Sequence, residues 1–180
     1  MKIYTRKGDD GTTGLFYGGR VKKDSLLPTA YGEVDEAQAA IGLARAHISE
    51  NSSLDKLLID ILRDLWVLMA ELATLPENRV KLEPETSLTT QEMVTKLEIA
   101  IDNYSDKFEM PKEFIVPGQN PSASYFDLAR TVVRRAERAV LKIELEDSYV
   151  VPYLNRLSDL MWIIARTQEK ITLTAREKEE

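Results

Sequence analysis

Two stretches of the sequence carry residue types that bind phosphate groups, and the first is TRKGDDGTTG at residues 5–14. Glycines let backbone amides approach a ligand closely, and consecutive amides can form a concave site for an anion. Threonine hydroxyls add further hydrogen-bond donors. Five cations belong to the same part of the chain: Arg6, Lys7, Arg20, Lys22 and Lys23. This composition suits a segment that holds a polyphosphate.

The same stretch also fits a simpler structure, a β-hairpin turn. Asp10-Gly11 is among the dipeptides that tight hairpin turns favour most strongly. The glycines and lysines do not follow the GxxxxGK[ST] spacing, so the stretch is not a P-loop. From the residues alone, a hairpin turn and a phosphate-binding arm both remain open.

The second stretch reads LARTVVRRAERAV and lies in the C-terminal half of the chain. Arg130, Arg134 and Arg138 are spaced four apart, so they share one helix face, and Glu137 lies beside them. Arg135 lies off to one side. Such a charged face is commonly no more than solvated surface with weak ion pairs. Every cation in it is arginine, however, and the planar guanidinium suits two-pronged contacts with phosphate or carboxylate.

Other polar residues have a structural interpretation beside a functional one. Asp35 lies early in a predicted helix, where a carboxylate complements the helix dipole; a partner arginine on another helix or subunit is the alternative. Asn155 and Asp159 are spaced as neighbours on one helix face, which is ordinary near a helix start. His47 lies near a helix end, where a cation suits the dipole, and we assign it no catalytic role.

The composition excludes several classes of chemistry. The 180-residue chain has no cysteine, one histidine and a formal net charge of −6. Disulfides, thiolate metal sites and cysteine nucleophiles are absent, so an enzyme of this sequence relies on positioning and charge stabilisation. The acidic charge disfavours nucleic acid and membrane surfaces as partners. Because we find no signal peptide and no membrane-spanning apolar run, we expect a cytoplasmic protein.

The segment that carries the first stretch differs from the rest of the chain. Residues 1–30 hold five of the eight glycines and show no helical period. We expect an extended arm there, with short strands at residues 3–4 and 15–17. After Pro28 the pattern becomes helical and remains so.

Apolar residues recur at spacings of three and four in five later segments, which predicts five helices. They run over residues 31–49, 53–74, from a cap at Thr89 or Thr90 to 104, from just after Pro121 to 144, and from Pro152 past 171. The residues expected to face the core are Val34, Ala37, Ile41, Ala44 and Ile48; Leu54, Leu58, Ile61, Leu65, Leu68 and Leu72, with Trp66 and Met69; Met93, Leu97 and Ile101; Phe126, Ala129, Val133, Ala136 and Val140; and Leu154, Leu157, Met161 and Ile164.

These elements predict an all-α fold, an antiparallel five-helix bundle with an extended glycine-rich N-terminal arm. We expect a single domain over residues 1–180, with the arm at 1–30, the bundle at 31–172 and a frayed tail at 173–180. Some apolar stripes are broad, and we expect Trp66, Trp162 and Tyr125 to face a neighbouring subunit.

Four blocks of the sequence resemble, in order, those of the PduO-type ATP:cob(I)alamin adenosyltransferases. The blocks are YTRKGDDGTTGLFYGGRVKKD, AYGEVDEAQAAIGLA, FIVPGQNPSASYFDLARTVVRRAERAV and YLNRLSDLMWIIAR. Residues 51–106 show no comparable signature. The resemblance implies a homotrimer of five-helix bundles with active sites between adjacent subunits. It also implies transfer of the 5′-deoxyadenosyl group of ATP to the cobalt of cob(I)alamin, with release of triphosphate.

The resemblance further implies a nucleotide site made from both stretches. Along the arm, the residues expected to bind ATP are Thr5, Arg6, Lys7, Gly8, Thr13, Gly14 and Lys23. From the helices, the expected contributors are Arg134, Arg135, Glu137, Arg138 and Asn155. Arg134 would contact the triphosphate near the reacting centre. Mg²⁺ would be bound mainly through the ATP phosphates, with no metal ligand assigned to the protein.

On the corrinoid side, the resemblance implies that Asp35 pairs with Arg130 across the subunit boundary. Phe114 would keep the lower axial ligand off cobalt, which makes cob(II)alamin easier to reduce. With Arg134, these three residues are the expected catalytic set. An adenosylcobalamin-dependent acceptor enzyme and a cob(II)alamin reductase are candidate partners.

The sequence departs from the family pattern at two places. Lys7 stands where the family usually has threonine, and Gln119 and Asn120 follow the FIVPG segment in place of a second glycine or serine. An alternative function is therefore an ATP-binding regulatory helical bundle that has lost corrinoid chemistry. A purely structural interaction bundle is a third possibility. Binding of ATP and of corrinoid discriminates the three.

Overall fold

A computed structural model describes residues 3–169 and 173–176, and five α-helices follow a short N-terminal hairpin there. The hairpin strands are β1 (Thr12–Gly14) and β2 (Arg20–Lys22). The helices are α1 (Leu26–Arg45), α2 (Ser53–Leu72), α3 (Gln91–Ser105), α4 (Pro121–Val140) and α5 (Val150–Gln168). Short 3-10 turns cover Pro76–Lys81 and Leu141–Ile143. The all-α five-helix bundle is confirmed.

Helix α4 lies at the centre of the bundle and packs along both α1 and α5. Helix α2 packs against α1, and α3 packs against α5. Nearly all residues predicted to face the core are buried; Ile48 and Ile101 are partly buried. Trp66 is the exception, because its side chain is 64% exposed, so its predicted place in the core is wrong. Among the described residues, none of the helices is long and apolar enough to cross a membrane.

Two helices begin earlier than predicted. The prediction placed each start at or after a proline, whereas each proline lies inside the first turn. Helix α1 begins at Leu26 instead of residue 31, with Pro28 at its third position. Helix α5 begins at Val150, with Pro152 likewise third. The first backbone N–H groups of a helix have no intrahelical acceptor, so proline removes no hydrogen bond there. The predicted cap at Thr90 is confirmed, since its side chain accepts from Met93 N.

Four helices end earlier than predicted, and α2 does so by only two residues, at Leu72. Helix α1 ends at Arg45 instead of residue 49. Helix α4 ends at Val140, and the chain continues as a 3-10 turn to Glu144, which has a left-handed φ of 54°. Helix α5 ends at Gln168, because the next residue has an extended ψ of 137°. Residue 171, to which this helix was predicted to extend, and most of the predicted tail lie outside the described residues.

The arm is a hairpin whose strands differ from the predicted ones. Thr13 pairs with Val21, and the chain reverses between the strands, where Gly18 N donates to Leu15 O at 3.2 Å. Tyr17, Gly18 and Gly19 all have positive φ there. Asp10-Gly11 forms a separate, earlier turn. The glycines at the reversal supply the left-handed backbone that the tight turn needs.

The bundle has two ends, which we call the arm end and the loop end. At the arm end, the hairpin joins the end of α2, where Phe16 N donates to Ala73 O at 2.9 Å. At the loop end, residues 106–120 connect α3 to α4 beside the end of α5. There Asn120 Nδ2 donates to Gln168 O at 2.9 Å. A 20-residue helix is about 30 Å long, so the bundle separates the two ends by roughly that distance.

A buried carboxylate fastens the arm end. Glu71 is fully buried at the end of α2. Its carboxylate accepts from Arg79 Nη2 at 2.9 Å, Thr89 N at 2.8 Å and Ser148 Oγ at 2.7 Å. These bonds join α2 to the segments that precede α3 and α5. One side chain therefore connects the three segments that lie next to the arm hairpin at this end of the bundle.

Candidate functional site

The first part of the candidate site is the arm, where Arg20 organises the backbone. Its Nη2 donates to Lys7 O at 2.6 Å, and its Nε donates to Thr12 Oγ1 at 3.1 Å. Asp10 Oδ1 accepts from Thr12 N at 2.9 Å, and the Thr12 hydrogen bonds hold the pKa of the Asp10 carboxyl below its usual value. Arg20 was predicted only as one of several cations. Its positioning role depends on the hairpin pairing, which the sequence spacing does not reveal.

The hairpin brings Gly8 against Lys23. A side-chain carbon added at Gly8 would lie 3.0 Å from Lys23 Nζ, so the absence of a side chain leaves room for the ammonium group. Thr5 Oγ1 accepts from Lys7 N at 3.4 Å, and the Arg6 guanidinium lies 5.6 Å from the Tyr4 ring centroid.

The arm residues are mostly open to solvent. Thr13 is partly buried, whereas Gly14 and the Lys7 and Lys23 side chains are exposed. Neither lysine forms an ion pair with any described residue. The two lysines therefore offer positive charge that no described carboxylate neutralises, whereas Arg20 Nη2 lies 3.8 Å from Asp10 Oδ1.

The second part of the candidate site lies on α4 and the start of α5. Asn155 Nδ2 donates to Glu137 Oε1 at 3.2 Å, so the structure brings these two predicted residues together. Arg138 Nη1 donates to the main-chain oxygen of Arg134 at 2.9 Å. Arg134 and Arg138 are exposed and have no carboxylate partner within the described residues. Two guanidinium groups are thus left to contact an anion from outside the chain.

Arg135 differs from its neighbour Arg134. Its Nε donates to Glu33 Oε2 at 2.5 Å, and its Nη2 pairs with Glu36. Its hydrogen bonds to these two carboxylates hold the pKa of this guanidinium above its ordinary value. Arg135 therefore joins α4 to α1. The sequence did not predict this contact, because no spacing links residue 135 to residues 33 and 36.

The third part is a cavity of about 730 Å³ at the loop end. Its lining includes Phe114, Ile115, Pro117, Leu128, Trp162 and Arg130. The Phe114 side chain is 88% exposed and lies on the connection between α3 and α4. Arg166 and Asp127 also line it, and a cavity that combines these apolar groups with a few charged side chains suits a large, mainly apolar ligand. Trp162 helps to line this cavity, and its predicted contact with a neighbouring subunit stays a prediction.

A buried ion pair forms part of the wall of that cavity. Arg166 Nη2 donates to Asp127 Oδ2 at 2.5 Å, and the Arg166 side chain is 3% exposed. Arg166 Nη2 also lies 3.1 Å from Glu169 Oε1, and burial raises the pKa of the Glu169 carboxyl. Asp127 Oδ1 lies 3.7 Å from Arg130 Nε. The sequence interpretation missed this network, because its members lie on two helices with no spacing signal between them.

Asp35 lies apart from these groups, in an apolar depression of about 410 Å³ on α1 and α2. The depression is lined by Phe16, Tyr31, Trp66, Met69, Ala70 and Ala73. Asp35 is exposed there and forms no ion pair with a described residue. Within the described chain, no hydrogen bond or ion pair joins Asp35 to Arg130, or Arg134 to Lys23. The predicted site residues thus occupy separate regions of one chain.

The described part of the chain, residues 3–169 and 173–176, contains no group of three or more acidic or histidine side chains suited to holding a metal ion. The prediction that Mg²⁺ is bound mainly by phosphates thus stays a prediction.

Comparison with a family model and with known proteins gives a consistent result. The model described as cobalamin adenosyltransferase matches residues 3–168. A corrinoid adenosyltransferase of Bacillus subtilis (strain 168) is 42% identical over 173 residues, covering 92% of this chain and 86% of that protein. The corrinoid adenosyltransferase PduO of Citrobacter freundii is 38% identical over 172 residues, covering 94% of this chain. The chain spans 50% of the length of that longer relative.

Solved structures resemble the whole chain. A phenylalanine-to-histidine variant of a PduO-type ATP:corrinoid adenosyltransferase from Lactobacillus reuteri, complexed with cobalamin and ATP, superposes with a TM-score of 0.87. It is 30% identical, and the match covers 99% of this chain and 98% of that chain. An arginine-to-lysine variant of the Lactobacillus reuteri protein, complexed with ATP, has a TM-score of 0.84 at 30% identity. That match covers 97% of this chain and 100% of the other.

Proposed function

The chain belongs to the cobalamin adenosyltransferase family, and we propose that it transfers the 5′-deoxyadenosyl group of ATP to the cobalt of cob(I)alamin. The step forms a cobalt–carbon bond with an electron pair of Co(I). It breaks the bond between C5′ and the phosphate oxygen, and the electron pair of that bond leaves with triphosphate. The observation that carries the proposal is the pair Arg134 and Arg138, which are exposed and lack a carboxylate partner in the described chain.

This reaction suits a site without a protein base. Co(I) is itself the nucleophile, so no side chain has to remove a proton to activate it. Negative charge develops on the leaving triphosphate, and positioned cations lower the energy of that transition state. We assign this role to Arg134, with Arg138 beside it. Glu137 and Asn155 hold the surface next to these arginines through their mutual hydrogen bond.

We assign ATP binding on the other side to the arm. Glycine amides and threonine hydroxyls would line the nucleotide, from the residues Thr5, Arg6, Lys7, Gly8, Thr13 and Gly14. Lys23 and the side chain of Lys7 have no carboxylate partner in the described chain and are free to reach phosphate. Because Arg20 holds the Lys7 carbonyl, the backbone there keeps its shape without the threonine that the family usually has.

We propose that Arg135 acts indirectly, by positioning its neighbour Arg134. Its two carboxylate partners fix the rotation of α4 against α1, which keeps Arg134 facing outward. The direct contact with ATP that the resemblance implies would require Arg135 to give up one of these carboxylates. Mg²⁺, carried by the phosphates, would supply further neutralisation of their charge, and Glu137 is the nearest carboxylate to the arginine pair along the chain.

We place the corrinoid in the loop-end cavity, with Phe114 beneath the cobalt and Arg130 at one side. The volume of about 730 Å³ and the apolar lining support this placement. Gln119 and Asn120, which depart from the family pattern, are used within the loop: Gln119 Nε2 donates to Val116 O at 3.2 Å, and Asn120 caps α4. The alternative of a regulatory bundle without corrinoid chemistry is therefore not favoured.

We further propose a homotrimer in which Asp35 of one subunit pairs with Arg130 of the next. The apolar depression around Asp35 supports an interface there, because Trp66 is a large side chain left 64% exposed. Light scattering should give the mass of three chains, and Trp66→Glu should reduce it toward one. Val80→Glu is the matched control, since Val80 is 90% exposed but lies outside the depression. A Trp66→Glu protein that remains trimeric would remove the depression from the interface.

The reaction itself has a direct test. Purified protein with ATP, Mg²⁺ and chemically reduced cobalamin should convert the absorbance spectrum to that of adenosylcobalamin. Folded protein that causes no conversion would contradict the proposed function, and binding of ATP without binding of corrinoid would instead support the regulatory alternative. A cytoplasmic location, and exchange of corrinoid with a cob(II)alamin reductase or an adenosylcobalamin-dependent acceptor enzyme, stay predictions.

A further inference from the structure

We propose that residues 173–175, which we call the strap, position Phe114 for its action on the corrinoid. The inference rests on the proposed function, because it assigns a task to a segment that touches the loop behind the cavity and not the cavity's ligand. The strap is thus a positioning element, and Phe114 remains the residue that acts on the corrinoid.

The strap pairs with the loop on both sides of Ile115. Ala175 N donates to Phe114 O at 2.8 Å, and Val116 N donates to Leu173 O at 2.9 Å. Ile115 and Thr174 face each other in an antiparallel bridge between these two bonds. The backbone around Phe114 is therefore held by an isolated antiparallel bridge, although no regular element was predicted there.

Phe114 depends on this pairing because nothing else described fixes its backbone. The bond from Ala175 is the only hydrogen bond to the Phe114 main chain among residues 3–169 and 173–176. The side chain is 88% exposed, so packing against the protein does not hold the ring either. The nearest further support begins at Val116, whose carbonyl accepts from Gln119.

A fixed backbone matters for the task assigned to Phe114. To keep the lower axial base off cobalt, the ring has to occupy the space of that base against a competing cobalt–nitrogen bond. A loop that samples many conformations loses entropy when the ring is placed there, and this loss opposes displacement of the base. Pairing with the strap removes that loss before the corrinoid arrives. Weakening the strap should therefore restore the base to cobalt.

The first experiment removes one hydrogen bond of the strap. Ala175→Pro eliminates the N–H that donates to Phe114 O, whereas Ala175→Ser retains it and serves as the matched control. With ATP and cob(II)alamin bound, electron paramagnetic resonance measures the ratio of four-coordinate cobalt to cobalt that keeps its lower base. We expect this ratio to fall about fivefold in Ala175→Pro, as for loss of one net hydrogen bond. In Ala175→Ser the ratio should stay at the wild-type value. Affinity for ATP should not change.

The second experiment tests whether the strap acts through Phe114. Phe114→Ala should lower the ratio strongly on its own. Ala175→Pro added to Phe114→Ala should then cause no further loss in the rate of adenosylcobalamin formation, because the positioned ring is already missing. An equal additional loss in the double variant would show that the strap supports the protein in some other way and would overturn the inference.

The outcomes separate this inference from the proposed function. A wild-type protein that forms no adenosylcobalamin contradicts the function itself. A wild-type protein that is active, with an unchanged cobalt coordination ratio in Ala175→Pro, contradicts the strap alone. Thermal unfolding of each variant establishes that it is folded, and Ala175→Ser distinguishes loss of the N–H from any change at that position.

Discussion

The arginines assigned to the polyphosphate and the arginine beside the loop-end cavity differ in how they are paired. Toward the arm end, Arg134 and Arg138 are exposed and have no carboxylate partner among the described residues. In the wall of the loop-end cavity, Arg166 is 3% exposed and is paired with Asp127 and with the carboxylate of Glu169. The first arrangement leaves positive charge for an anion, and the second neutralises it beside an apolar cavity. In the proposed function, Arg130 beside the corrinoid and Arg134 beside the polyphosphate would lie one turn apart on α4, so the two substrates could meet.

The largest expected effect is on stability, at the paired end. Arg166→Ala leaves Asp127 buried without its partner, and removing one member of a buried ion pair typically costs about 3–5 kcal/mol of unfolding free energy. Denaturant unfolding measures this loss. Arg63→Ala is the control, because the Arg63–Asp60 pair is exposed, and such a pair contributes about 1 kcal/mol or less. Equal losses in the two variants would mean that burial does not change what an ion pair contributes to the unfolding free energy.

The next effect is on catalysis, at the unpaired end. Arg134→Ala should lower kcat by about 100-fold or more, as for loss of one transition-state donor, while unfolding free energy stays within about 0.5 kcal/mol. Arg134→Lys should recover only part of the rate, since an ammonium lacks the planar fork. Steady-state kinetics and denaturant unfolding on the same preparations give both numbers. Near-wild-type kcat in Arg134→Ala would remove this arginine from the reacting centre.

Much of the bundle could be predicted from the sequence, because burial stripes are local. Leu58 and Leu65 lie one above the other on α2 wherever that helix packs, and both are fully buried. Helix starts were harder to predict. A proline breaks a helix when it lies in the interior but not when it lies in the first turn, where Pro28 lies. Glu137 and Asn155 were predicted as site residues only through the resemblance; the structure joins them by a hydrogen bond, and their role stays a prediction.

Contacts between distant segments could not be predicted. The Asp127–Arg166 pair joins residues 39 apart on two helices, and it depends on how α4 and α5 lie against each other. The exposed place of Trp66 and the pairing of Ala175 with Phe114 depend on tertiary arrangement in the same way. Spacing along one element carries no information about such contacts.

A smaller effect is expected at Arg135, which joins α4 to α1. The double variant Glu33→Gln with Glu36→Gln frees this guanidinium and loosens α4 against α1. Misplacement of reacting groups lowers rates, so we expect kcat to fall about tenfold, with unfolding free energy lowered by about 1 kcal/mol. Glu50→Gln is the control, because Glu50 is exposed and forms no ion pair in the described chain. An increase in kcat would instead indicate that freed Arg135 contacts ATP directly.

The smallest effect is a difference in carboxyl titration between the ends. Hydrogen bonds from Thr12 lower the pKa of Asp10, so the contribution of this carboxylate to arm stability is present above its ordinary pKa of 3.8 and is lost as pH falls further. Burial raises the pKa of Glu169 above 4.5, so its charged form destabilises the fold at neutral pH and acid relieves this cost. A pH titration followed by the carbon-13 shifts of the two carboxyls should give a midpoint below 3.8 for Asp10 and above 4.5 for Glu169. Thr12→Val should raise the Asp10 midpoint and leave that of Glu169 unchanged.

The central claim is that ATP is cleaved between C5′ and the triphosphate, with the nucleoside group passing to cobalt. Product analysis after mixing the protein with ATP, Mg²⁺ and cob(I)alamin tests it most directly. The account predicts one intact triphosphate for each adenosylcobalamin formed. Release of ADP and phosphate, or of AMP and pyrophosphate, in place of triphosphate would contradict it.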